Sequence, residues 1–151
     1  VKKGNGKMFY RIMDFIKNIP REIKWFFQRG IRGYSDKDVW SIDIWFKSII
    51  IPMLEQLKET KQGHPIDMTE EEWNLTLNNM INYFKECTDF YCSEKNEYED
   101  EYMSRIMSAN EYDKLLASKW LKREEEIDKY KNEMKNKAFE LFSKHFYSLW
   151  D

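Results

Sequence analysis

An all-α fold, a helical bundle ending in a long C-terminal helix or helical hairpin, is predicted by three observations. Apolar residues recur at three- and four-residue spacing along most of the 151-residue chain. Two segments carry helix-start chemistry, Ser35 with Asp38 and Thr69 with Glu72. Only five glycines and three prolines punctuate a chain rich in Lys, Glu, Asn, Met, Leu and Ile, a composition that favours long helices over short strands. The length fits a single helical domain, residues 1–151, with room for a core.

Met8 to Phe27 reads as an amphipathic helix with Phe9, Ile12, Met13, Ile16 and Ile19 on one face. Pro20 interrupts it, or opens a new helical segment over Arg21–Gln28, and Gly30 and Gly33 end it. Ser35 is a good N-cap with Asp38 three residues on, which predicts a helix from Asp36 to about Lys61. Its apolar stripe is Val39, Ile42, Phe46, Ile49, Ile50, Met53, Leu54 and Leu57, and Pro52 should kink it and open a crevice beside it.

After a turn-rich loop, Thr69 and Glu72 form a second capping box. Trp73, Leu77, Met80, Ile81, Phe84 and Tyr91 then mark a helix running to about Cys92. Ser93–Glu101 is acidic and polar and reads as a mobile connector. From Glu101 to Trp150 the pattern is helical again, with a break near Ser108–Asn110. Trp120, Ile127, Met134 and Leu141 stand seven apart, the seam of a short coiled coil or an antiparallel hairpin.

The net charge is only −2 but unevenly placed. Residues 1–34 carry nine Lys or Arg against two acids, and residues 66–103 carry eleven acids against two Lys. A near-neutral total argues against a protein that coats extended nucleic acid, which works by releasing counterions from phosphates. No window of apolar residues is long enough for a membrane span, and the start lacks a secretory pattern, so no membrane and a cytoplasmic setting are expected. Cys87 and Cys92 read as free thiols in a reducing cytosol. Six tryptophans and a 17% aromatic share exceed what a core of this size hides, which together with the opposed charges predicts a homo-oligomer, most simply a two-fold dimer.

The densest functional signal runs from Arg29 to Trp45. Arg29, Arg32 and Tyr34 flank two glycines just before a helix N-terminus, where loop amides, guanidinium forks and the helix dipole can converge on phosphate oxygens. Trp40 or Trp45 offers a flat surface for a base, Lys47 shares a helix face with Trp40, and His64 lies in the next turn-rich loop. Arg29, Arg32, Tyr34, Trp40, Trp45, Lys47 and His64 are therefore the candidate ligand-binding residues. The competing reading pairs the arginines with helix acids and buries the tryptophans.

His64, Asp67 and Glu70–Glu72 resemble metal ligands in type, yet consecutive glutamates point in different directions on a helix and capping explains them. No metal, no cofactor and no catalytic residue is expected, since no Ser-His-Asp or Cys-His arrangement is legible. Glu124–Glu126 reads as a solvated face, and His145 as a core or interface residue.

The segments Arg29-Gly, Gly33-Tyr-Ser-Asp-Lys-Asp-Val-Trp40, Gly63-His-Pro65 and Thr69-Glu-Glu-Glu-Trp73 resemble those of a family of small proteins encoded by tailed bacteriophages. The likeness covers roughly residues 25–90. It implies a viral protein in the host cytosol and transfers no catalytic residues. Three functions then stand as expectations. The first is a non-catalytic binding protein that sequesters a small phosphorylated signal, a nucleotide, of host defence. The second is an interaction module that inhibits or redirects a host protein through exposed tryptophans and charged faces. The third is a metal-dependent nucleotide hydrolase using Asp36, Asp38, Asp67 or Glu70–Glu72.

Overall fold

The computed structural model describes residues 20–107 and 114–150, and among them there are helices and turns but no strand. The chain divides into two compact units, Val1–Phe46 and Lys47–Asp151. The expected stripe from Phe9 to Ile19 and the break near Ser108–Asn110 lie outside the described residues.

In the first unit residues 20–32 form a helix, α1. Gly33 ends it: its φ of 81° is left-handed, and its N–H donates to the Arg29 carbonyl at 3.0 Å. A side chain at that φ is strained, so glycine is the residue that closes a helix this way. Gly30, by contrast, sits inside α1, so one of the two expected terminators does the work. The next helix begins in two steps, a 3-10 turn over Asp38–Ser41 and then α2, Ile42–Thr60. Ser35 explains why. Its backbone N–H donates to Asp38 Oδ2 at 2.7 Å, but the Asp38 amide donates to the Ser35 carbonyl at 3.1 Å, which tightens the chain into a turn.

In the second unit α2, from Lys47 on, is joined by α3 (Glu70–Glu86), α4 (Glu99–Met107), the long α5 (Lys114–His145) and a final 3-10 turn, Phe146–Ser148. The Thr69 box is complete: Glu72 N–H donates to Thr69 Oγ1 at 3.2 Å and Thr69 N–H donates to Glu72 Oε2 at 2.8 Å. Trp73, Leu77, Met80, Ile81 and Phe84 of α3 are buried, with Ile51 and Leu54 of α2 and Leu116, Ile127, Met134, Ala138 and His145 of α5. α3 and α5 run antiparallel, since Trp73 meets His145, the Tyr83 ring meets Lys137, and Glu86 meets Tyr130. Phe84 lies edge-on to Phe139 and Phe142.

The seven-residue seam holds only in part. Ile127 and Met134 are buried, but Trp120 and Leu141 are half-buried and the contact moves to Ala138 and His145. From Ile127 to His145 is 18 residues, which is about five turns at about 3.6 residues per turn. A straight helix drifts off a strict heptad in this way.

Two other expectations are corrected. α3 ends at Glu86, short of Cys92, because Thr88 donates from both its amide and its hydroxyl to the Lys85 carbonyl, competing with helical bonding. The stretch read as a mobile connector is strapped to α5. Glu86 Oε2 accepts from the Ser93 amide and hydroxyl, both at 2.8 Å. Arg123 donates to Glu94, Glu97 and the Lys95 carbonyl, while Asn96 donates to the Trp120 carbonyl and Glu124. α4 is then held by Tyr102 stacked on Trp120 at 4.6 Å and by the Trp120 indole donating to Glu99. Among the described residues no helix is long and apolar enough to cross a membrane.

Candidate functional site

The first unit is built around an inversion of the usual arrangement. At about 100° per residue, Lys24, Gln28 and Arg32 of α1 share one side, with Arg29 beside them, and Ile23, Phe26, Phe27, Gly30 and Ile31 share the other. The loop after α1 folds back onto the polar side. Asp36 accepts from Gln28 at 2.8 Å, pairs with Lys24 at 2.9 Å and pairs with Arg32, while its amide donates to Gln28 Oε1 at 3.0 Å. Asp38 takes Arg29 in a two-pronged pair at 2.9 and 2.6 Å. These donors hold both carboxyls well below the usual carboxylate range, Asp36 through Gln28, Arg32 and Lys24, Asp38 mainly through Arg29. Arg32 also donates to the Tyr34 carbonyl and lies 4.6 Å from the Tyr34 ring centroid, and Lys37 sits over Trp25.

The loop thus covers charge and leaves the apolar side of α1 bare. Ile23 is 51%, Phe26 73%, Phe27 61% and Ile31 86% exposed. Further along the unit Trp40 is 81% exposed, with Val39, Ile42 and Ile44 also exposed. Isolated exposed apolar residues are ordinary, whereas several large ones on one helix face mark a surface made for contact.

Of the residues proposed from sequence, Arg29, Arg32, Tyr34 and Trp40 gather in the first unit, but the two guanidiniums face carboxylates. A phosphate at this corner has to displace Asp38 or Asp36. Trp45 is half-buried, and Lys47 begins the second unit, where its charge is felt by Cys87 and Asp89. His64 is exposed with Nδ1 3.0 Å from the Pro65 carbonyl oxygen.

The described residues hold no group of three or more His, Cys, Asp or Glu suited to a metal ion. Glu72 is committed to the α3 cap, and that bonding to Thr69 lowers its pKa. Burial pushes the Cys87 thiol up, away from the thiolate that a nucleophile needs. His145 is buried against Trp73 and its pKa is lowered, first by burial and then by Lys144, with Asp67 opposing.

Sequence reading missed Ile23, Phe26, Phe27 and Ile31 as a surface. Their spacing was visible, but spacing alone reads as core. Compared with protein-family models, curated proteins and solved structures, the chain matches none.

Proposed function

We propose that this chain acts by binding another protein, with the apolar side of α1 as its docking face. The observation that carries the reading is the exposure of Ile23, Phe26, Phe27 and Ile31 on the side of α1 that its own loop leaves uncovered. Burying one such side chain in a partner's groove is worth about 1.5–3 kcal/mol, and aromatic anchors of this kind dominate interface energetics. The resemblance to tailed-phage proteins makes a protein of the host cytosol the class of partner.

The test is a photo-crosslinker placed at position 26 in the producing cell, followed by reconstitution with the purified crosslinked protein. A stoichiometric complex that Phe26→Glu with Phe27→Glu abolishes supports the reading. Light scattering separates the competing occupant, a second copy of the chain, the assembly expected from composition: a dimer dispersed by the same substitutions would replace the partner-protein reading. The nucleotide-sequestering alternative requires an anion that outcompetes Asp36 and Asp38, and a thermal-shift screen of linear and cyclic nucleotides tests it.

A further inference from the structure

Between α2 and α3 lies an open cleft of about 380 Å³ lined by Glu55, Lys58, Glu59, Asn78, Ile81, Asn82 and Lys85. Its floor is Ile81, 5% exposed, and the Lys85–Glu55 ion pair at 2.6 Å ties its two walls. Asn78 and Asn82 stand one helical turn apart on the α3 wall, with Asn74 one turn before them. We propose that this cleft binds a short segment of extended polypeptide by its backbone, with Asn78 and Asn82 as the reading residues, independently of the α1 face.

The argument is one of matched repeats. Residues i and i+4 of a helix are about 6 Å apart along its axis, and alternate residues of an extended chain are about 6.6 Å apart. On one edge of an extended chain, every second residue presents its N–H and its C=O together. An Asn side-chain amide offers the complementary acceptor and donor, also side by side. Two such amides in register therefore hold two alternate residues of a strand-like peptide. Neither the Asn78 nor the Asn82 amide is committed to a hydrogen bond within the described protein, whereas Asn96, the strap residue, uses both its donor and its acceptor internally.

The lining charge decides against other ligands. Lys58 and Lys85 are matched by Glu55 and Glu59, so a phosphate or a nucleic-acid backbone meets two carboxylates wherever it meets the lysines. A neutral backbone carries no such penalty, and with Lys85 and Glu55 paired to each other the charges of Lys58 and Glu59 remain for the side chains of the bound segment. Lys58 and Glu59 make no ion pair among the described residues.

The probe is a blocked hexapeptide of alternating Thr and Val, extended by preference and uncharged, titrated into the whole protein while side-chain amide resonances are followed by nuclear magnetic resonance. The expected result is saturable shifts at Asn78 and Asn82, binding at least ten-fold weaker in Asn78→Ala with Asn82→Ala, and a melting temperature in that variant no lower than the parent's, since Ala is the better helix former. The same hexapeptide N-methylated at alternate residues should not bind. No saturable shift at either asparagine, equal binding of the N-methylated peptide, or saturation by inorganic phosphate in place of the peptide would each overturn the proposal. The stripe substitutions Phe26→Glu and Phe27→Glu leave this binding unchanged if the two sites are separate, and a parallel loss would overturn the claim of independence.

Discussion

Truncating two phenylalanines, one in each unit, separates the folding surface of this protein from its working surface. Phe84 has no exposed area and meets Phe139 at 5.5 Å and Phe142 at 6.0 Å, both edge-on. Phe84→Ala removes the transfer energy of a whole ring and leaves a void, a loss of about 3–5 kcal/mol. At about 4 °C per kcal/mol for a unit of this size, the melting temperature should fall by roughly 12–20 °C. Phe26 is 73% exposed, so only about a quarter of the roughly 1.5–3 kcal/mol of a buried ring is at stake, on the order of 0.5 kcal/mol. Phe26→Ala should therefore melt within about 2 °C of the parent. Thermal unfolding followed by far-ultraviolet circular dichroism reads both variants in one experiment. Equal losses would refute the reasoning, because they would mean that the α1 face is already packed within the fold.

The two glycines near the end of α1 should respond with opposite signs. Gly30→Ala has open space around the new methyl and stabilises α1 by about 0.5–1 kcal/mol, while Gly33→Ala, at φ 81°, destabilises it by about 1 kcal/mol; amide exchange of residues 24–32 reports both. Thr69→Ala removes the α3 cap and should cost about 1 kcal/mol in urea unfolding, with Thr69→Ser restoring most of it. His145 is held neutral by burial against Trp73 beside Lys144. Its folded pKa lies below the unfolded value of about 6.5, so its contribution is fully present above that pH and is lost as pH falls through the folded pKa. Urea midpoints should drop more steeply with acid in the parent than in His145→Leu, and parallel profiles would contradict this. Arg32→Ala removes a partner of Asp36 and, on the protein-binding reading, changes no nucleotide-dependent melting shift, because there is none to change.

The parts legible in the sequence were those whose causes are local. Thr69 and Glu72 are three residues apart, and their reciprocal bonds are as read; the stripe from Trp73 to Phe84 follows from spacing alone. The strap over residues 93–98 was illegible because its anchors, Arg123, Trp120 and Glu124, lie more than twenty residues downstream, so an acidic stretch looked like a solvated connector. The arginine corner had its counter-evidence in plain view. Asp36 and Asp38 stand twelve or fewer residues beyond the cations they neutralise, Lys24, Arg29 and Arg32, so the pairing was open in the sequence as the competing reading; what local spacing does not fix is the chain reversal at Gly33 that brings acid and cation together. Ile23 to Ile31 shows the remaining gap. Periodicity predicts an apolar face but not whether the fold covers it, and here the loop was drawn to the charged side instead.

The central claim, that the bare side of α1 is where this protein meets its partner, is tested most directly by the affinity for the crosslinked protein once purified. Calorimetric titration of Phe27→Ala should show a dissociation constant roughly 10- to 100-fold weaker than the parent, the cost of one buried ring. Leu121→Ala, an equally open position on α5 at 54% exposure, should leave it unchanged. Parent-like affinity for Phe27→Ala, or an equal loss at Leu121, would contradict the account.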